Sequence, residues 1–248
     1  MRSSPSDPIE AARSRRLAPF LARPFAHRGL HGRGASENSR AAFEAAIASG
    51  TGIELDVRAS RDGEAFVFHD EELARLTGEA GAFGARDAAA LRQLRLSACG
   101  ESLFSLSDAL ALVAGRTPLL IEAKAPERHV SQLCLAVHRA LEGYGGAAAV
   151  MSFNPLVGAW FARHAPRRPR GLVVTEEGKG ALKGWIERRL GVLRAQPDFL
   201  AYDIRSLPSR FAAAQRRRGL PILTWTVRTA AEQERAALHA DQIITERE

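Results

Sequence analysis

The chain has 248 residues, enough for one large domain or two small ones and too many for a mini-protein. Hydrophobic residues make up 46% and charged residues 25%, an ordinary globular composition that excludes a mainly disordered or fibrous chain. Lys plus Arg number 35 against 28 Asp plus Glu, and the resulting charge of +7 directs attention to anionic partners.

Residues 1–22 read as an N-terminal tail with one short helical piece over 8–17. This stretch is polar and arginine-rich without an apolar signal core, and no later run approaches the roughly 18 apolar residues of a membrane span. The sequence therefore predicts neither export nor a stable membrane anchor. Cys99 and Cys134 make neither a C-x-x-C pair nor a disulfide framework, which predicts a reducing compartment, the cytoplasm. The arginine runs at 13–16, 167–170 and 216–218 are short, scattered and poor in aromatics, so they read as solvated surface and no nucleic acid is expected as partner.

From residue 23 onward, short apolar runs alternate with helix-period segments, the pattern of parallel βαβ units. Eight runs stand out, at 24–27, 52–57, 118–123, 147–153, 171–175, 199–204, 221–227 and 242–245. Between them, Phe43 and Ile47 mark one helix face, and Val130, Leu133, Val137 and Leu141 another. Ser105-Leu106-Ser107-Asp108 opens a third helix with a capping-box pattern. Eight strands alternating with helices predict a single TIM-type (β/α)8 barrel over 23–248.

One segment breaks the alternation. Residues 58–64 are too few for a parallel crossover, which takes about a dozen, so 52–57 and 65–69 are expected to form an antiparallel hairpin. It adds an extra strand after the second barrel strand and turns at Arg61-Asp62-Gly63. Pairing centred between Arg61 and Asp62 sets His69 opposite Glu54. Residues 71–102, rich in Gly and Ala, read as an excursion before the third barrel strand.

Within the second strand, Glu54 and Asp56 share one face. That face is either solvated or, if it lines a barrel, in need of a cation to offset two desolvated acids. Mg²⁺ and Ca²⁺ take oxygen ligands and suit such a pair. Other strand ends carry polar groups too: His27 and Arg28 end the first, His69 and Asp70 end the hairpin, and Glu122 and Lys124 end the third barrel strand. Barrel enzymes place their active sites at those ends. Two imidazoles provide an acid and a base near neutral pH. Arg28 offers a planar fork for phosphate oxygens and Lys124 a second positive charge. With a cation held by Glu54, Asp56 and Glu122, this set suits phosphodiester cleavage.

The ordered set His27-Arg28, Glu54-x-Asp56 and His69-Asp70 resembles the signature of the glycerophosphodiester phosphodiesterase family. Ser36-Glu37-Asn38-Ser39 is similar to its P-E-N-T, Glu122-x-Lys124 to its E-x-K, and Ser152-Phe153-Asn154-Pro155 to its S-F-N-P. Trp225-Thr226-Val227 resembles the start of W-T-V-N, and Ile243-Ile244-Thr245 the start of I-I-T-D. The resemblance implies a distorted eight-stranded barrel with Glu54, Asp56 and Glu122 as ligands of Mg²⁺ or Ca²⁺ and His27 and His69 as the acid/base pair. It also implies that Arg28 and Lys124 hold the phosphate and that Trp225 walls the glycerol site. The substrate's own glycerol hydroxyl would attack phosphorus, giving a cyclic phosphate that water opens to glycerol phosphate and an alcohol.

Arg228 and Glu246 depart from the last letters of those two motifs. A long cation in place of a short amide predicts a preference for an anionic head group. Two rival functions share the residues: a phospholipase-type enzyme on the same barrel, acting on lysophospholipids or inositol lipids, and a barrel that binds phosphate-bearing ligands or nucleic acid without turnover. The glycine-rich stretch 28–34 lacks G-x-G-x-x-G and P-loop spacing and is not read as a nucleotide site.

Overall fold

The computed structural model describes residues 8–246 except 33, 127 and 179. Among them the strands are β1 (Phe25–Ala26), β2 (Gly52–Ala59), β3 (Ala65–Val67), β4 (Leu119–Ala123), β5 (Ala148–Ser152), β6 (Arg170–Val174), β7 (Phe199–Asp203), β8 (Ile222–Val227) and β9 (Gln242–Thr245). The helices are α1 (Pro8–Leu21), α2 (Arg40–Ala48), α3 (Ala74–Thr77), α4 (Ala88–Leu91), α5 (Leu106–Val113), α6 (Ser131–Ala140), α7 (Pro155–His164), α8 (Ala181–Ala195), α9 (Arg210–Arg217) and α10 (Ala230–His239). Neighbouring strands follow the order β1-β9-β8-β7-β6-β5-β4-β2, and β1 bonds back to β2, which closes an eight-stranded parallel barrel. β3 adds to β2 antiparallel, the extra strand expected from the short 58–64 link.

Strand alternation sorts the side chains into two layers. Ile53, Leu55 and Val57 of β2 pack outward with Phe43 of α2, Leu106 and Leu110 of α5, and Leu133 and Val137 of α6. The capping box at Ser105 is present: its hydroxyl accepts the Asp108 N–H, and the Asp108 carboxylate accepts the Ser105 N–H. Inward positions form a separate cluster of Phe25, Leu120, Ala149, Met151, Val173, Phe199, Ala201, Leu223 and Ile244. Gly52 and Gly171 make room for it. A Cβ on Gly52 would sit 2.5 Å from the Phe25 ring, and one on Gly171 2.4 Å from the Phe199 ring.

The sequence reads residues 1–22 as a tail with a helix over 8–17, but α1 continues to Leu21 and joins the barrel. Its Leu17 and Phe20 belong to the inward cluster, with Phe20 stacked on Phe25 at 6.5 Å between centroids. Two apolar residues three apart among arginines gave only a faint face, yet burying them closes the barrel floor. Among the described residues, no helix is long and apolar enough to cross a membrane.

The hairpin register also differs from expectation by one residue. Val57 pairs with Val67, Arg58 with Phe66 and Ala59 with Ala65, so the axis passes through Asp62 and Glu54 does not face His69. The cause is a three-residue loop: Gly63 N–H donates to the Ser60 carbonyl at 3.0 Å, with Gly63 left-handed at φ 88°. A one-residue slip exchanges the two faces of a strand. After the Phe68 N–H bonds the Asp56 carbonyl at 3.0 Å, the ladder stops, and Arg58 Nε holds the His69 carbonyl at 2.8 Å. The 71–102 excursion carries its own small core, in which Phe68 stacks on Phe83 at 4.8 Å.

Candidate active site

β2 and β4 lie in parallel register with Asp56 beside Glu122, and the inward alternation of β2 places Glu54 on the same face one inward position below them. The three offer carboxylate oxygens within 4.8 Å of one another, and all are buried. Burial first, then the like charges of Asp56 and Glu122, pushes the Glu54 carboxyl well above its ordinary pKa. Burial raises Glu122 as well. Asp56 is buried too, but Lys124 and Arg28 outweigh that and hold it at about 2.

Those two cations come from different strands. Lys124 Nζ lies 3.0 Å from Asp56 Oδ1 and 2.5 Å from Glu122 Oε1. Arg28 Nε lies 3.2 Å from Asp56 Oδ2, while its Nη1 donates to Glu37 Oε1 at 2.6 Å. The Arg28 backbone is left-handed at φ 56°, a strained state for a residue with a side chain. Two bonds hold it there: its N–H donates to Glu54 Oε2 at 3.0 Å and its carbonyl accepts the Asn38 N–H at 2.8 Å. Asn38 Nδ2 in turn donates to Asp56 Oδ2 at 3.0 Å.

Each histidine is aimed by a carboxylate. His27 Nδ1 donates to Glu246 Oε2 at 3.0 Å, and this bond leads the effects that hold the Glu246 carboxyl at about 2. His69 Nδ1 donates to Asp70 Oδ1 at 2.6 Å. Arg75 clamps Asp70 through Nε at 2.5 Å, and its two Nη groups reach Glu37 at 2.8 Å each. A continuous chain of ion pairs therefore runs from His69 through Asp70, Arg75, Glu37 and Arg28 to Asp56. Burial lowers the His69 pKa, with the nearby Asp56 charge opposing it.

His27, Arg28, Glu54, His69, Glu122, Lys124 and Trp225 line one cavity of about 430 Å³ at the C-terminal ends of the strands. Asp56 does not line it but braces Arg28 and Lys124. Trp225 is fixed by its Nε1–H bond to the Ala201 carbonyl at 2.9 Å and by an edge-to-face contact with Phe153 at 5.5 Å. Phe153, Glu122 and Lys124 also border a wider groove with Arg58, Ser152 and Asn154. Seven of the eight residues singled out in the sequence thus line one pocket, with Asp56 behind Arg28 and Lys124. Arg228 stands apart from that expectation of an anion-seeking head-group site: its Nη2 pairs with Glu246 at 2.6 Å, so its charge is already met.

Sequence reasoning did not foresee Arg75, or the work of Glu37 and Glu246. Glu37 sits in a motif that gave no hint of two arginine partners, and Arg75 lies in the irregular excursion with no spacing to relate it to Asp70. Glu246 showed only as a departure from a motif, though its position after β9 places it beside β1 in a closed barrel.

All three carboxylates are desolvated and two of them are raised in pKa, and among the described residues the lysine and arginine charges facing them are Lys124 and an Arg28 shared with Glu37. Glu122 Oε1 is buried without a well-formed hydrogen bond, despite the close Lys124 charge. An all-oxygen donor set with unmet negative charge fits a hard divalent cation.

Comparisons with known proteins point the same way. The sequence model of the glycerophosphoryl diester phosphodiesterase family matches residues 27–247. The chain is 34% identical over 210 residues to probable glycerophosphodiester phosphodiesterase 2 of Mycobacterium tuberculosis, covering 81% of this chain and 71% of that protein. A shorter match, 52% identical over 58 residues and 23% of each chain, is to a glycerophosphodiester phosphodiesterase of Bacillus altitudinis. In fold it is similar to an Oleispira antarctica phosphodiesterase solved with its product sn-glycerol-3-phosphate, with TM-score 0.80, 22% identity and 92% and 94% of the two chains covered. It is also similar to the Thermotoga maritima glycerophosphodiester phosphodiesterase, with TM-score 0.72, 24% identity and 89% and 92% coverage. The barrel, its ordered motifs and these matches together assign the chain to the glycerophosphoryl diester phosphodiesterase family, and the protein is an enzyme of that family.

Proposed function

We propose that this enzyme hydrolyses glycerophosphodiesters to glycerol phosphate and an alcohol in the 430 Å³ cavity, through a cyclic phosphate formed by the substrate's own hydroxyl. The observation that carries this reading is the meeting of two carboxylate-oriented imidazoles and three buried carboxylates around one pocket. Glu54, Asp56 and Glu122 would hold Mg²⁺ or Ca²⁺, which when bound lowers the cost of negative charge on phosphoryl oxygen and on the attacking hydroxyl.

Arg28 and Lys124 bind the phosphate and meet the charge that grows on it. His69, its pKa lowered by burial and its ring aimed by Asp70, takes the proton of the attacking hydroxyl as its oxygen bonds phosphorus. His27, aimed by Glu246, gives a proton to the departing alkoxide as the P–O bond breaks. The roles reverse when water opens the cyclic phosphate. Trp225 and Phe153 wall the glycerol end and exclude bulk water. The groove beyond Phe153 has room for the departing alcohol. A cytoplasmic setting suits the two free cysteines: Cys134 is buried, and burial pushes its thiol up to about 12.

Assay with glycerophosphocholine tests this directly. The wild type should release glycerol phosphate, and chelation or His69→Ala should each abolish release with the fold intact. Activity that persists in both would discard the site.

One feature favours a second reading, a lipid-borne diester as substrate. Helix α8 exposes Leu182, Trp185, Leu190 and Leu193 beside the cationic Lys183 and Arg189, a face suited to a lipid interface and not evident from the sequence. Faster release from lysophosphatidylcholine vesicles than from glycerophosphocholine would select it.

A further inference from the structure

A second group of potential metal ligands shares none of the three buried carboxylates. His27, His31 and Glu246 each offer one ligand atom, and these atoms all lie within 4.8 Å of one another. Glu246 reaches both rings, with Oε2 3.0 Å from His27 Nδ1 and Oε1 3.7 Å from His31 Nε2. Ligands about 2.0–2.1 Å from a tetrahedral Zn²⁺ stand about 3.3 Å apart, the scale of these two separations. His31 Nε2 is also buried without a hydrogen-bond partner, which leaves it free for a metal.

Backbone bonds preset the arrangement. The His27 N–H donates to the Thr245 carbonyl at 2.9 Å, joining the ends of β1 and β9 just where His27 and Glu246 project. The His31 N–H donates to the Gly29 carbonyl at 3.1 Å, which turns the loop so that the second imidazole meets the first. Arg228, 2.6 Å from Glu246 Oε2, holds the carboxylate from outside. Ligand chemistry separates this group from its neighbour: two imidazoles and one carboxylate suit Zn²⁺, whereas three carboxylates suit Mg²⁺ or Ca²⁺.

We propose that His27, His31 and Glu246 form a Zn²⁺ site whose occupation shuts the enzyme off. A metal on His27 Nδ1 fixes that ring, removes its N–H bond to Glu246 and withdraws the ring from proton transfer. The binding half stands on geometry alone, while the inhibitory half rests on the role given to His27 under the proposed function.

Titration calorimetry with ZnCl2 on the full chain, in excess MgCl2, reads the binding half. One Zn²⁺ should bind despite Mg²⁺, and His31→Asn should weaken it by about tenfold or more. Co²⁺ in place of Zn²⁺ gives a readout on the wild type itself: intense visible absorption of a tetrahedral site with nitrogen ligands. Mg²⁺ displacing the Zn²⁺, wild-type affinity in a folded His31→Asn protein, or the pale spectrum of six-coordinate Co²⁺ would each overturn the site. With glycerophosphocholine, Zn²⁺ should lower the rate, and His31→Asn, compared with its own Zn²⁺-free rate, should resist by the same factor. Tight binding without inhibition would overturn the inhibitory half alone. An inactive protein that still binds Zn²⁺ in this way would sustain the site and sink only the proposed reaction.

Discussion

Arg228 and Glu246 pair at 2.6 Å, so the two positions where the chain leaves its family's W-T-V-N and I-I-T-D signatures meet in space. The substitutions answer each other: the arginine steadies a glutamate that is one methylene longer than the aspartate it replaces, and that glutamate aims His27. A cation read from sequence as a head-group contact is therefore better understood as a support for the acid/base pair.

Exchanging both residues tests this. Arg228→Asn alone should lower kcat several-fold with KM for glycerophosphocholine little changed, and adding Glu246→Asp should recover most of the loss. The exposed pair should contribute under about 1 kcal/mol to stability. A change in head-group preference with kcat unaltered would restore the sequence-based view.

Lys124 is the main positive charge among the buried carboxylates. Lys124→Met should destabilise the metal-free protein by about 3–5 kcal/mol, roughly 10 °C in Tm, because it leaves desolvated acids unpaired. Saturating Mg²⁺ should raise Tm more in the variant than in the wild type. An equal rise in both would show that the carboxylates do not share a cation site.

The pH profile has a defined sign. Burial lowers the His69 pKa from 6.5, so the acid limb of kcat/KM should lie below pH 6.5. The hydrogen bond to Asp70 works in the opposite direction, so Asp70→Asn should move that limb lower still. Stability has its own acid limb. Asp56, lowered from 3.8 to about 2, contributes stability that is full above pH 3.8 and lost as pH falls towards about 2. Denaturation curves across that window in wild type and Asp56→Asn should converge at the acid end.

Glu37 touches neither the cavity nor a histidine, yet it joins Arg28 to Arg75. Glu37→Gln should reduce kcat about tenfold while leaving Tm within a few degrees. Its pH limb should shift in the same direction as that of Asp70→Asn, since Glu37 reaches Asp70, the partner of His69, through Arg75. A loss of activity with no such shift would limit Glu37 to holding Arg28.

Gly171 leaves the space that the Phe199 ring fills at 2.4 Å from a would-be Cβ. Gly171→Ala should cost about 1–3 kcal/mol, and a further Phe199→Leu should relieve part of it. Chemical denaturation of the single and double variants reads both effects.

The barrel was legible in the sequence because its strands are continuous apolar runs separated by helices with clear faces, and β9 falls on the residues expected, 242–245. Glu54, Asp56 and Glu122 were legible because period-two alternation fixes which residues share a face. The hairpin axis was not, since a two-residue and a three-residue loop differ by one position and Asp-Gly fits either. α1 was read four residues short, as part of a tail, because Leu17 and Phe20 among arginines carry almost no periodic signal of a buried face. The Arg75–Glu37 link was hidden for a different reason: long-range pairing of surface charges leaves no local pattern to read.

The Gln242 side chain holds the Leu21 carbonyl at 2.9 Å, so the last strand fastens the plug that the first helix forms. A ribosome releases the stopper first and the final stave last. The bond that pins the stopper therefore cannot form until the strand carrying Gln242 has been made.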